Sequence, residues 1–141
     1  MKRNSKLSLC LHALGHMARQ PEVPMTSEDI ARHNATHAVV VRRVLGRLRV
    51  AGIVRSDKGH AGGWSLARPA DAITVADVYA AIDEPFLRPA PGPRADKGCA
   101  IVMALQSTVD AAMTEAEAVL RRHFAERTVG ELARAMEVRG T

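Results

Sequence analysis

Cysteine is scarce: two in 141 residues, too few for a disulfide-stapled scaffold. Two are also too few for a four-cysteine zinc or iron–sulfur site built by one chain. No uncharged run approaches the roughly 20 residues that a membrane helix needs. The chain contains no P-loop, no GxGxxG and no HExxH, so the common nucleotide and zinc-hydrolase signatures are missing. Acidic residues are sparse in the first half. Residues 1–70 carry 12 Lys/Arg against 4 Asp/Glu, a balance of +8, whereas residues 71–141 carry 8 against 11, a balance of −3. The overall charge of +5 is therefore polarised, and points to a polyanionic partner on one end only.

What is present suits a folded domain. Hydrophobic residues make up 47% and charged residues 25%, and the length is enough to bury a real core. Met1-Lys2-Arg3 followed by the uncharged stretch 7–18 has the outline of a signal peptide. However, His12 and His16 interrupt it and no small-x-small cleavage site follows. Leu7, Cys10, Leu11, Leu14 and Met17 or Ala18 share one helical face, so we expect an amphipathic first helix in a cytoplasmic protein.

Pro21 and Pro24 end that helix. Thr26-x-x-Asp29 is a capping-box pattern opening a short helix to about His33. Asn34-Ala35-Thr36 reads as a tight turn with Thr36 as the next N-cap. A helix from about His37 to Ala51 then stops at Gly52. Val41, Val44, Leu45, Leu48 and Ala51 gather on one side of it. Val39, Arg42, Arg43, Gly46, Arg47, Arg49 and Val50 lie round the other. The β-prone runs 53–56 and 64–68 flank a glycine-rich, basic connection and read as a hairpin. Thr74-x-x-Asp77 caps a helix to about Ile82, and four of the seven prolines crowd into residues 85–93. Residues 98–124 form one long helix whose apolar positions follow a near 3,4 repeat: Val102, Leu105, Val109, Ala112, Ala116, Val119 and Leu120. It would span about 40 Å, more than a domain of this size covers alone. Thr128-x-x-Glu131 opens a last short helix.

The expected fold class is mainly α with a small β-hairpin wing: a winged helix-turn-helix plus a long C-terminal dimerisation helix. Residues 1–83 would form the DNA-binding domain and 84–97 a proline-rich loop. The dimerisation helix would run over 98–125, with a short helix and tail at 126–141. An α-helix fits the B-DNA major groove and reads base edges with its N-terminal residues. Here those are His37, Ala38, Val39 and Val40, then Arg42 and Arg43, with Arg47 on the same outward side. Arginine pairs bidentately with guanine or phosphate, and valine contacts thymine methyls. Lys58, Gly59 and His60 place cations and free backbone N–H groups at the wing tip for phosphate contact. A winged helix that binds protein or RNA is the alternative. An enzyme fits poorly, because Cys99 and His123 lie about 36 Å apart on one helix and cannot form a dyad within a chain. His12 and His16 have i,i+4 spacing, which suits a metal, yet such pairs are more often packing or surface residues; no metal site is expected.

The run 44–54 (VLGRLRVAGIV), the run 58–67 (KGHAGGWSLA) and 73–78 (ITVADV) together resemble the Rrf2 family of bacterial transcription regulators. Ala61 replaces a wing glycine of the family pattern, and Trp64 a tyrosine. The resemblance covers nearly the whole chain. It implies a homodimer, with the long helix crossing its mate, bound to a near-palindromic double-stranded DNA operator and more often repressing than activating. It also implies base contacts from His37, Val39, Val40, Arg42 and Arg43, with Lys58 and His60 from the wing. Better-known members hold an iron–sulfur cluster on three cysteines in the loop before the long helix. This chain has only Cys99 there, so no such cofactor is expected. With Asp96 as N-cap, Cys99 would occupy the third helical position beside Lys97. That setting favours thiolate and a redox-sensing role, against an inert thiol as the alternative.

Overall fold

The computed structural model describes residues 6–57, 63–87 and 99–139. The wing tip Lys58, Gly59 and His60, the greater part of the proline-rich loop, and Asp96 and Lys97 lie outside the described residues.

Helix α1 (Lys6–Arg19) buries Leu7, Cys10, Ala13, Leu14 and Met17, the 3–4 spacing of an amphipathic helix. Helix α2 (Ser27–His33) is capped by the Thr26 hydroxyl, which accepts from the Asp29 N–H at 3.1 Å. Its far end closes through Asn34, whose side-chain Nδ2 donates to the Ile30 carbonyl, and through the Thr36 N–H, which donates to Ala31. That second bond binds Thr36 to the end of α2. The N-cap of α3 (Ala38–Val50) is consequently His37, without a side-chain cap bond, and not Thr36 as the sequence led us to expect. Ala35 takes φ +50° in the turn between the two helices.

Val41, Val44, Leu45 and Leu48 of α3 are buried against α1, α2 and the later helices. Gly52 follows the helix at φ +76°, the left-handed position that glycine occupies without a Cβ penalty. Strands β1 (Val54–Ser56) and β2 (Trp64–Leu66) pair antiparallel, with Val54 opposite Leu66 and Ser56 opposite Trp64. The other edge of β2 is also used. Met25 and Trp64 exchange both backbone bonds, at 2.8 and 3.0 Å, and Trp64 Nε1 donates to the buried Ser27 hydroxyl. A Cβ on Gly63 would stand 2.9 Å from the Met25 carbonyl, so this join requires glycine.

Helix α4 (Val75–Ile82) has the full capping box, Thr74 and Asp77 each bonding the other's backbone N–H at 3.0 Å. Among the described residues, the long helix α5 (Ala100–Ala125) meets the core near its C-terminal end, where Leu120 and Phe124 pack on it. Helix α6 (Val129–Val138) then returns along α1 and buries Val129 and Ala133. A two-way backbone exchange clasps it beside α4: Val75 N–H to Arg127 O and Val129 N–H to Ile73 O. The last helix is thus part of the domain core. Among the described residues no helix is long and apolar enough to cross a membrane.

Candidate nucleic-acid interface

Burying Val41, Val44, Leu45 and Leu48 forces the opposite face of α3 outward. That face contains no acid. His37, Val39, Arg42 and Arg43 are exposed along its first two turns, and Val39 keeps 59% of its surface. Val40 differs from the other candidate base readers: it is half-buried and packed against the core.

The arginines are held in different ways. Arg42 pairs with Glu28 of α2 at 2.6 Å across an exposed surface, a contact that DNA phosphate can replace at little cost. Arg47 donates to the Ile82 carbonyl at 2.6 Å, and so fastens α3 to the C-terminal end of α4. Arg49 reaches the Ser56 hydroxyl on β1 at 3.3 Å. Arg43 is exposed, with no bond to another described residue. A Cβ on Gly46 would meet nothing within 4 Å, so packing within the chain does not require glycine there. The alternation along β1 exposes Arg55, a cation on the wing that spacing arguments on α3 passed over; its signal was the buried–exposed alternation with Val54.

The second expected site is the stripe on α5. No residue of this helix is buried. Leu105 is 62% exposed, Val109 41%, Val119 39% and Val102 37%, and Ala112 and Ala116 are exposed as well. Leu120, which shares the sequence pattern, instead packs on its own domain with Phe124. Tyr79 of α4 fixes this end of the helix. Its hydroxyl donates to Glu117 Oε1 at 2.6 Å and accepts from the Phe86 N–H at 2.8 Å, and its ring meets Phe86 and Phe124 edge-on. Burial, reinforced by the Glu117 bond, raises the Tyr79 pKa.

Both cysteines can be placed. Cys10 is fully inside the core, and burial pushes its thiol up to about 12. Cys99 is exposed. It is the N-cap of α5 and not its third residue, because the helix begins only at Ala100.

A helix-turn-helix joined to a paired hairpin, with a basic outward helix, defines a winged-helix DNA-binding transcriptional regulator. A family model described as "Rrf2: Iron-dependent Transcriptional regulator" matches residues 3–135, and the chain belongs to this Rrf2 family. IscR of Erwinia tasmaniensis is 36% identical over 63 residues, 45% of this chain and 38% of that protein. IscR of Escherichia coli is 31% identical over 85 residues, 60% of this chain and 52% of that protein. The chain thus spans about half the length of such curated relatives. Among solved structures, CymR, the global cysteine regulator of B. subtilis, superposes with TM-score 0.67 at 21% identity, covering 96% of this chain and 98% of that one. T. potens IscR does so with TM-score 0.63 at 21% identity, covering 98% and 90%.

The family description implies iron. A cluster on three thiolates does not fit this donor set: Cys10 is enclosed in the core, and Cys99 is the one cysteine remaining. Among the described residues no three His, Cys, Asp or Glu side chains already converge as a metal site.

Proposed function

We propose that this chain represses transcription as a cytoplasmic homodimer, bound to a near-palindromic double-stranded operator and working without an iron–sulfur cluster. The observation that carries this reading is the pairing of two surfaces. One is an acid-free helix presenting His37, Val39, Arg42 and Arg43; the other is an uncovered apolar stripe on α5. The first suits a major groove. The second suits a second copy, since soluble chains rarely leave such a stripe in water. Lys58, Gly59 and His60 would add phosphate contacts from the wing, and Arg47 acts from behind by holding α3 against α4.

Among the arginines of α3, Arg43 is the one with no bond to another described residue to release before it binds. Arg43→Ala should reduce discrimination at one base pair of the operator by about 1–3 kcal/mol. Competition binding against single-base operator variants checks this. Loss spread evenly over all sequences would make Arg43 a phosphate contact instead.

Cys99 is the thiol suited to a redox response, being exposed at the start of the helix that would join the subunits. Peroxide would convert it to a sulfenic acid with release of water. Operator affinity should fall as the oxidised fraction, followed by mass spectrometry, rises. Unchanged affinity in fully oxidised protein would remove this part of the proposal.

A further inference from the structure

Three histidines from two helices meet beside the helix-turn-helix. His12 and His16, one turn apart on α1, bring their Nε2 atoms to 3.1 Å. His33, the last residue of α2, stacks on His16 with ring centroids 5.4 Å apart. The protonation pattern can be followed along the hydrogen bonds. Asn34 Nδ2 donates to the Ile30 carbonyl, which turns Asn34 Oδ1 toward His12. With both rings neutral, the His12 Nδ1–H donates to that oxygen at 3.1 Å, and His12 Nε2 carries a lone pair. The proton between the two Nε2 atoms therefore belongs to His16.

We propose that His12 and His16 form a chelating site for a divalent transition-metal ion of the zinc type. Two imidazole nitrogens bound to tetrahedral zinc at about 2.0–2.1 Å stand about 3.3 Å apart. The pair is already within a few tenths of an ångström of that spacing. The ion takes the place of the shared proton, and His16 stays neutral by carrying its proton on Nδ1. The Asn34 carbonyl bonded to His12 Nδ1–H is the outer partner that metal-binding histidines usually have, fixing both tautomer and ring orientation. Imidazole donors select zinc, copper or nickel over magnesium or calcium.

The surroundings leave room for further ligands. His16 and His33 line a cleft of about 440 Å³ together with Arg19, Gln20, Met25 and Glu137 of α6. Glu137 brings a carboxylate to the cleft, opposite in sign to Arg19. Burial, followed by the neighbouring His12, His33 and Arg19, lowers the His16 pKa. The site is distinct from Cys99. An ion held there would pin α1 to the residue that closes α2, directly before the turn into α3.

The test uses the full chain carrying Cys99→Ser, so that the exposed thiol does not compete for metal. Zinc titration by calorimetry should give one ion per chain, with an accompanying rise in Tm. His12→Gln and His16→Gln should each weaken binding at least tenfold, and Asn34→Ala should weaken it about tenfold or more through loss of the outer bond. Ring resonances read by NMR in the unmutated histidine set give an answer that does not depend on the variants folding. Zinc should shift His12 and His16 and leave His123 in place. No zinc binding, or zinc binding that leaves the His12 and His16 resonances unmoved, would overturn the proposal.

Discussion

The double variant Leu105→Asp, Val109→Asp should be a folded monomer whose operator affinity has dropped by roughly 10²–10⁴-fold. Both residues sit on α5 N-terminal to the part that packs on the core, at 62% and 41% exposure. Replacing them leaves the protomer's core intact, so the circular dichroism and Tm of the domain should hardly move. In the proposed dimer the same positions would lie in an apolar seam, where an unpaired carboxylate pays its full desolvation cost. Once the seam opens, each DNA-binding domain must find its half-site alone. The gain from binding the second half-site as an intramolecular event is then lost, and its usual size sets the expected drop. Sedimentation with a fluorescent operator reads both effects in one experiment. Leu120→Asp makes the control. Although it belongs to the same sequence repeat, it packs with Phe124 on its own core, and its replacement should unfold the protomer.

Leu45→Ala should cost about 2–5 kcal/mol of folding stability, the range for deleting an enclosed leucine side chain. Leu45 is completely buried in the middle of α3, within the cluster that includes Val41, Val44 and Leu48. A domain of this size has about 5–15 kcal/mol in all, so the loss is a large share of it. Urea unfolding should show the midpoint moving down with little change in slope. Val39→Ala on the same helix should change stability by less than about 0.5 kcal/mol, because Val39 faces water in the free chain. The contrast separates the two faces of α3: one holds the helix, and the other is the one we propose reads DNA.

Much of this arrangement was legible before any coordinates, because it is written in local chemistry. The pairs Thr26/Asp29 and Thr74/Asp77 mark helix starts through bonds spanning three residues. Gly52 marks the end of α3 by its positive φ, and the valine and leucine spacing there fixes which face is buried. Several of the departures from expectation involve partners distant in sequence. Periodicity put Arg47 among the outward arginines, and it is exposed there; what spacing did not show is its bond to the carbonyl of Ile82, 35 residues away. Val40 and Leu120 fit their repeats and are nonetheless drawn onto the core. The return of α6 along α1 leaves no trace in either helix's spacing. Cys99 shifted by a few residues because no side chain caps α5, so the sequence carried no signal for its first turn. The histidine cluster was half visible: His12 and His16 show as a helical pair, whereas His33 joins them only through packing of α2 on α1.

The central claim is that this chain recognises one operator as a symmetric pair. Footprinting the purified protein on genomic DNA at increasing salt tests it directly. The account predicts protection of a near-palindromic site, with half-sites in successive major grooves about 34 Å apart or a multiple of that. Affinity should fall steeply with salt while the preference for the operator over random duplex persists. Equal affinity for every duplex, at all salt concentrations, would contradict the account.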